Sequence, residues 1–219
     1  MIQSETLQFL SELKENNHKE WFDENRDTYQ KARQNFIQVI DRLIEGITEF
    51  DHTLDGLEPK HSLFRINRDI RFSKNKNPYK TNMGAYLARG GRKSIYAGYY
   101  FHIEPGNIFI GGGCYQPMAP ELAKIRTHID LEAAKLKKVT SGTTFSQLFE
   151  EIRGEELKSA PKGYPKDHPD IDLLRKKSFF VMTHLSDQDV QKENFIEKAL
   201  DIYEKIYPFN QFFNEALEE

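Results

Sequence analysis

The chain has 219 residues, 38% hydrophobic and 30% charged, with a mean hydropathy of −0.70. That is the balance of a water-soluble globular protein of about one domain, and it excludes a disordered chain. The single cysteine, Cys114, excludes an internal disulfide and a multi-cysteine zinc site, and no apolar run approaches the ~18 residues of a membrane span. The net charge of −3 hides an asymmetry. Lys60 to Lys93 holds ten basic residues and one acid, Asp69, so a segment of +9 sits within a remainder of −12. The N-terminus lacks the basic flank and apolar core of a secretory signal, which predicts a cytoplasmic protein with no membrane partner.

In chain order, Ser4 can cap a short helix with Leu7, Leu10 and Leu13 on one face, ending at Asn16-Asn17. A second helix carries Trp21, Phe22, Asn25, Tyr29, Phe36, Val39, Ile40, Leu43, Ile44, Ile47 and Phe50 at spacings of three and four. Nearly thirty residues is long for one globular helix, so a kink is expected. Ser62 to Asn67 alternates as a strand, with Phe64 and Ile66 on one side and Arg65 and Asn67 on the other. A polar loop spans Asp69 to Thr81. Met83 to Ala88 and Ser94 to Ile103 then flank Arg89-Gly90-Gly91-Arg92, a tight hairpin whose glycines accept positive φ. Glu104-Pro105-Gly106-Asn107 fits a type II turn, and Ile108 to Gly113 is the next strand.

Pro120 to Lys138 and Thr144 to Arg153 are predicted helices, the second capped by Thr143 or Thr144. The prolines of Ala160 to Pro169 predict a loop. Lys177 to His184 is a further strand. Asp187 to Glu218 is helical, with a break expected near Tyr207-Pro208. The expected fold class is α+β, a single domain over 1–219. An antiparallel sheet of four or more strands is packed by a long N-terminal helix and C-terminal helices. Residues 1–55 are helical, 60–115 form the sheet, and 118–219 are mainly helical with one further strand near 177–184.

The chemistry concentrates in Arg65 to Thr81. Arg65, Arg68 and Arg71 recur every three residues, Lys74 and Lys80 add point charges, and Asp69 can orient an arginine. Arginine takes phosphate or carboxylate through paired hydrogen bonds and stays charged at any working pH. Phe72 and Tyr79 suggest a loop that packs down; the competing reading is a solvated basic loop paired with the acidic remainder. On the strand from Ser94, the residues Ile95, Ala97, Tyr99, Phe101 and Ile103 share one side, and Tyr96, Gly98, Tyr100 and His102 the other. If the first side meets the helices, the second presents an aromatic groove tipped with polar groups, unless another helix covers it.

Lys158 to Pro169 is a second basic loop, from which Lys162 and His168 can join the first around one ligand. Cys114 follows a run of three glycines and can act as a nucleophile only beside a basic partner such as His102 or His184. No histidine or carboxylate set has convincing ligand spacing, so neither a metal nor a cofactor is expected.

Four of these segments occur together in a known order. They are Phe9-Leu10, Asn16-Asn17 and Trp21-Phe22; Arg65, Arg68-Asp69, Arg71 to Lys74 and Pro78 to Thr81; Tyr99-Tyr100, Ile103, Pro105 and Gly111 to Gly113; and Ala160 to Tyr164 with His168-Pro169. In these the chain resembles the domain-of-unknown-function 2461 family from about Leu7 to Phe213. The resemblance implies a single-domain protein of bacterial type and suggests that the two basic loops form the family's shared site. It brings no reaction, substrate or cofactor with it.

The leading expectation is binding of a small phosphorylated or carboxylated ligand. Arg65, Arg68, Arg71, Lys74 and Lys80 would hold the anion with Lys162 and His168, and Tyr96, Tyr100 and His102 would line the rest. No nucleophile–base pair can be read off, so whether the protein is an enzyme stays open. Two rivals stand beside this. One is single-stranded nucleic-acid binding through the basic aromatic segment 60–93; the other is a protein-interaction module whose basic loop docks an acidic partner.

Overall fold

A computed structural model describes residues 1–218. Four strands, β1 (Met83–Leu87), β2 (Gly98–Ile103), β3 (Ile108–Cys114) and β4 (Phe179–Leu185), form an antiparallel sheet in the order β1-β2-β3-β4. Helices α1 (Ser4–Glu15), α2 (Lys19–Glu24), α3 (Arg26–Thr48) and α4 (Pro59–Ser62) precede it. Helices α5 (Ala119–Thr140), α6 (Thr143–Phe149) and α7 (Ile171–Leu174) separate β3 from β4, and α8 (Asp187–Val190) and α9 (Phe195–Glu218) follow. The fold is α+β. Among the described residues no helix is long and apolar enough to cross a membrane.

The described residues divide into two compact units, each drawn from separate stretches of chain. The first takes Met1–Arg92, Tyr100–Ile110 and His184–Asp201. Its core is the predicted apolar face of α3, with Phe36, Val39, Ile40, Leu43 and Ile47 all buried. Phe36 and Phe195 each pack on Phe101 of β2, with ring centroids 5.8 and 5.4 Å apart. The chain ahead of α1 is tied down by the buried Asn35. Its Oδ1 accepts from the Gln3 amide and the Thr6 hydroxyl, both at 2.9 Å, and its Nδ2 donates to the Met1 carbonyl. Replacing it with alanine leaves the buried Thr6 hydroxyl unsatisfied. Asn35→Ala is expected to cost about 2 kcal/mol in urea denaturation and to speed amide exchange at the N-terminus.

The second unit takes Lys93–Tyr99, Gly111–Thr183 and, of the C-terminal stretch, the described residues 202–218. Phe179, Phe209 and Phe213 are its fully buried centre, with Phe213 5.1 Å from Phe179 and 4.9 Å from Phe209 between ring centroids.

Several sequence expectations are corrected. Ser4 does not cap α1; it is the first helical residue, and its hydroxyl turns to Glu5. The predicted long helix breaks at Asn25, whose backbone (φ −101, ψ 19) leaves the helix while its side chain donates to the Trp21 carbonyl. Ser62 to Asn67 is not a strand. Leu63 bridges Ala85, whereas Asn67 bridges Tyr79, so the segment spends its backbone bonds on two separate partners and builds no ladder. Its alternation fails accordingly, with Ile66 buried and Phe64 41% exposed. Residues 94–97 precede β2 instead of extending it, and Ile95 is exposed. Helix α6 starts at Thr143 with Gly142 as its cap residue and no side-chain cap.

The C-terminal region breaks at 191–194 and not at Pro208, which sits inside α9. The fully buried Tyr203, Ile206, Phe209 and Phe213 hold that helix by packing, which outweighs the backbone hydrogen bond a proline forfeits. The turn at Glu104 to Asn107 forms as expected, but residues 88–97 separate β1 from β2, so the connection is longer than the tight hairpin expected although both its glycines take positive φ. Gly90 and Gly91 adopt φ +81 and +86, and the Asn107 amide donates to the Glu104 carbonyl at 2.8 Å across Gly106.

Candidate functional site

In the first unit the backbone of the basic segment is pinned at both ends. The Phe64 amide donates to the Gly84 carbonyl at 3.0 Å. The Lys80 and Arg68 amides donate to the Ile66 and Pro78 carbonyls, both at 2.8 Å. Tyr79 packs down as expected, its ring stacked on Phe22 at 4.0 Å and its backbone held by both ends of the Asn17 amide. Phe72 does the opposite: it is 97% exposed.

The loop's cations divide into two groups. Arg68 holds the loop's shape, donating to the Asn77 carbonyl at 2.9 Å and to the Ser73 hydroxyl at 3.3 Å. Arg71 closes on Asp69 through two hydrogen bonds of 3.0 and 2.7 Å, and the Arg71 hydrogen bonds hold the Asp69 carboxyl below its ordinary range. Lys76 donates to the Ile70 carbonyl. By contrast, Arg65, Lys74 and Lys80 meet no carboxylate within ion-pair distance among the described residues. Lys80 is half-buried with its ammonium 5.4 Å from the Phe64 ring centroid. Burial, with the charge of Arg65 nearby, lowers its affinity for a proton. A desolvated ammonium beside a guanidinium, with no anion between them, is a pair of charges lacking a counter-charge.

Lys80 reaches the predicted outer side of β2, where Phe64 beneath it meets Tyr100. Tyr100 and His102 lie there half-buried, and Phe101 and Ile103 face the core. The Tyr100 hydroxyl lies 3.1 Å and the Asn82 amide nitrogen 3.4 Å from His102 Nδ1. The Asn82 amide nitrogen can only donate, so with Nδ1 as its acceptor the neutral ring carries its proton on Nε2. That nitrogen is buried without a hydrogen bond, 3.9 Å from Glu104 Oε2. A Cβ on Gly84 would fall 2.6 Å from the Tyr100 hydroxyl oxygen, so glycine there leaves room for it.

Burial is the main influence on His102 and lowers its pKa, with Lys80 adding to the effect and Glu104 opposing it. Burial also opposes the charge on Glu104. Hydrogen bonds from Thr81 at 2.5 Å and Asn107 at 3.2 Å outweigh this and leave its carboxyl below the ordinary value. A histidine whose folded pKa is depressed binds fewer protons than in the unfolded chain, so its contribution to stability falls as pH drops through the unfolded value near 6.5. His102→Gln is therefore expected to flatten the loss of melting temperature between pH 7.5 and about 5.5. An unchanged slope would place the titration elsewhere.

Tyr96, Lys162 and His168 belong to the second unit. Tyr96 lies ahead of β2, its amide donating to the Ser94 hydroxyl. Lys162 is exposed. His168 serves its own loop: Nε2 lies 2.9 Å from Asp130 Oδ1, and Nδ1 accepts the Asp170 amide at 3.0 Å, so both ring nitrogens are occupied. Cys114 is buried, and desolvation pushes its thiol up to about 12. At neutral pH it is a protonated core residue and a poor nucleophile.

Sequence reasoning missed Asn82, Glu104 and Phe109 as neighbours of His102. Phe109 was legible: it alternates with the buried Ile108 and Ile110 and so faces the His102 side, where the two rings stack at 4.5 Å. The DUF2461 family model, described as a conserved hypothetical protein, matches residues 5–212. No curated protein and no solved structure matches the chain.

Proposed function

The chain belongs to the conserved hypothetical protein family DUF2461, and for this member we propose binding of a small phosphorylated or carboxylated ligand by Arg65 and Lys80. The observation that carries the reading is Lys80, half-buried beside Arg65 with no carboxylate partner. Holding two like charges together without a counter-ion costs stability, and an anion between them recovers it. Tyr100, with Asn82 and His102 behind it, supplies neutral polar groups on the same side of β2. Arg68 and Arg71 serve the reading indirectly, by keeping the loop in shape. Lys74, on the same loop, is a secondary candidate.

The test is thermal stabilisation across a panel of inorganic phosphate, sugar phosphates, nucleotides and di- and tricarboxylates, read against salt concentration. At least one panel member should raise the melting temperature at constant ionic strength. A dependence on salt of several log units in affinity, seen only with long polyanions, would favour the nucleic-acid rival instead.

A further inference from the structure

The side of the sheet that holds Lys80 and His102 is paved with rings beyond what an anion needs. Phe64 meets Tyr100 edge-on, with ring centroids 6.2 Å apart. Tyr100 meets Phe109 of β3 at 5.6 Å, Phe109 stacks on His102 at 4.5 Å and 12°, and His184 of β4 meets Phe109 edge-on at 5.8 Å. The row thus crosses β2, β3 and β4 and ends at Phe64 under the Lys80 ammonium. The core does not require it, because Phe101, Ile103, Ile108 and Ile110 on the opposite side are fully buried. The outer side of such a sheet is ordinarily polar. Here Phe64 and His184 are exposed and the rings between them half-buried.

We propose that the ligand of this site joins a nucleobase to its phosphate, the base packing on the Tyr100–Phe109–His184 row while the phosphate meets Arg65 and Lys80. The inference rests on the anion reading above and adds the class of ligand. Half-buried rings on an open sheet, bordered by cations, are the chemistry that holds bases, and stacking tolerates any base because each has a π-face. A free nucleotide and a single strand offer the same pair of groups.

The experiment compares adenosine 5′-monophosphate, ribose 5-phosphate and a short oligoadenylate by calorimetry on the full chain. The base should improve affinity about tenfold over ribose 5-phosphate. Phe109→Leu should remove that advantage while leaving ribose 5-phosphate binding intact; His184→Leu, at an exposed position of the same row, repeats the test without risk to the core. An oligoadenylate that binds more tightly than the mononucleotide assigns the base and phosphate to a strand, and equal affinity assigns them to a free nucleotide. Equal binding of adenosine 5′-monophosphate and ribose 5-phosphate would overturn the inference and leave the anion reading standing. Binding of neither would overturn the inference; the anion reading falls as well only if no phosphate or carboxylate of the panel above stabilises the protein.

Discussion

The double variant Arg65→Ala, Lys80→Met is expected to lose about 100-fold or more in affinity for whichever anion the panel identifies, with no loss of melting temperature in its absence. Each cation offers a charge-assisted hydrogen bond, worth about 1.5–3 kcal/mol when its partner is ionised, and two such losses amount to two or more powers of ten. The stability half of the prediction has the opposite sign from an ordinary lysine deletion. Lys80 is half-buried and its ammonium has no carboxylate to repay desolvation. Methionine keeps the contact with Phe64 and removes the charge, so the free protein should hold or gain stability. Arg71→Ala is the contrasting control, because that guanidinium already faces Asp69 in an exposed pair. Calorimetry and thermal melts on the three proteins decide the matter. If the double variant binds as tightly as the parent, the anion site is elsewhere.

A second large effect is expected in the second unit. Gly113→Ala should cost about 3 kcal/mol or more in urea denaturation. The residue adopts φ +125, where side chains are rare, and an added Cβ would overlap the Phe179 carbonyl oxygen and lie 2.7 Å from Phe180 Cα. Both obstacles are backbone of the paired strand, so relief requires β3 and β4 to part at that point. Gly163 separates the two contributions. It has φ +96 but nothing within 4 Å of its would-be Cβ, so Gly163→Ala carries only the torsional cost, about 1–2 kcal/mol. Equal costs at both positions would show that the close approach of the strands contributes nothing.

The two glycines also mark how far each stretch could be read. Gly106 in its turn and the positive φ of Gly90 and Gly91 were legible, because a turn advertises its φ requirement in the adjoining residues, whereas the length of the connection around Gly90-Gly91 was not. Gly111 to Gly113 signalled close approach or a bulge, but what approaches, the backbone of β4, comes from more than sixty residues away. The same limit explains Phe72. Its neighbour Tyr79 found Phe22 and Asn17 to pack on, and the two aromatics are equivalent by composition. Only the folded loop shows that Phe72 has no such surface within reach. Pro208 failed in the other direction: a strong local signal for a break lost to the buried stripe of α9.

Local periodicity determined the helices, the meander of strands and the buried sides of α3 and β2, because burial of one face imposes a repeat of about 3.6 or 2 on the residues themselves. It also located the charge: the +9 segment, and the placement of Tyr100 and His102 on one side of a strand, follow from residue types and alternation. Which of those charges remain available is a different matter. Arg68 and Arg71 resemble Arg65 in sequence, yet the Asn77 carbonyl, the Ser73 hydroxyl and the Asp69 carboxylate occupy them, and Arg65 and Lys80 stand without a counter-charge. Charge is a property of the residue, but its neutralisation depends on distances set by chain segments far apart in sequence. The tertiary structure alone decided that.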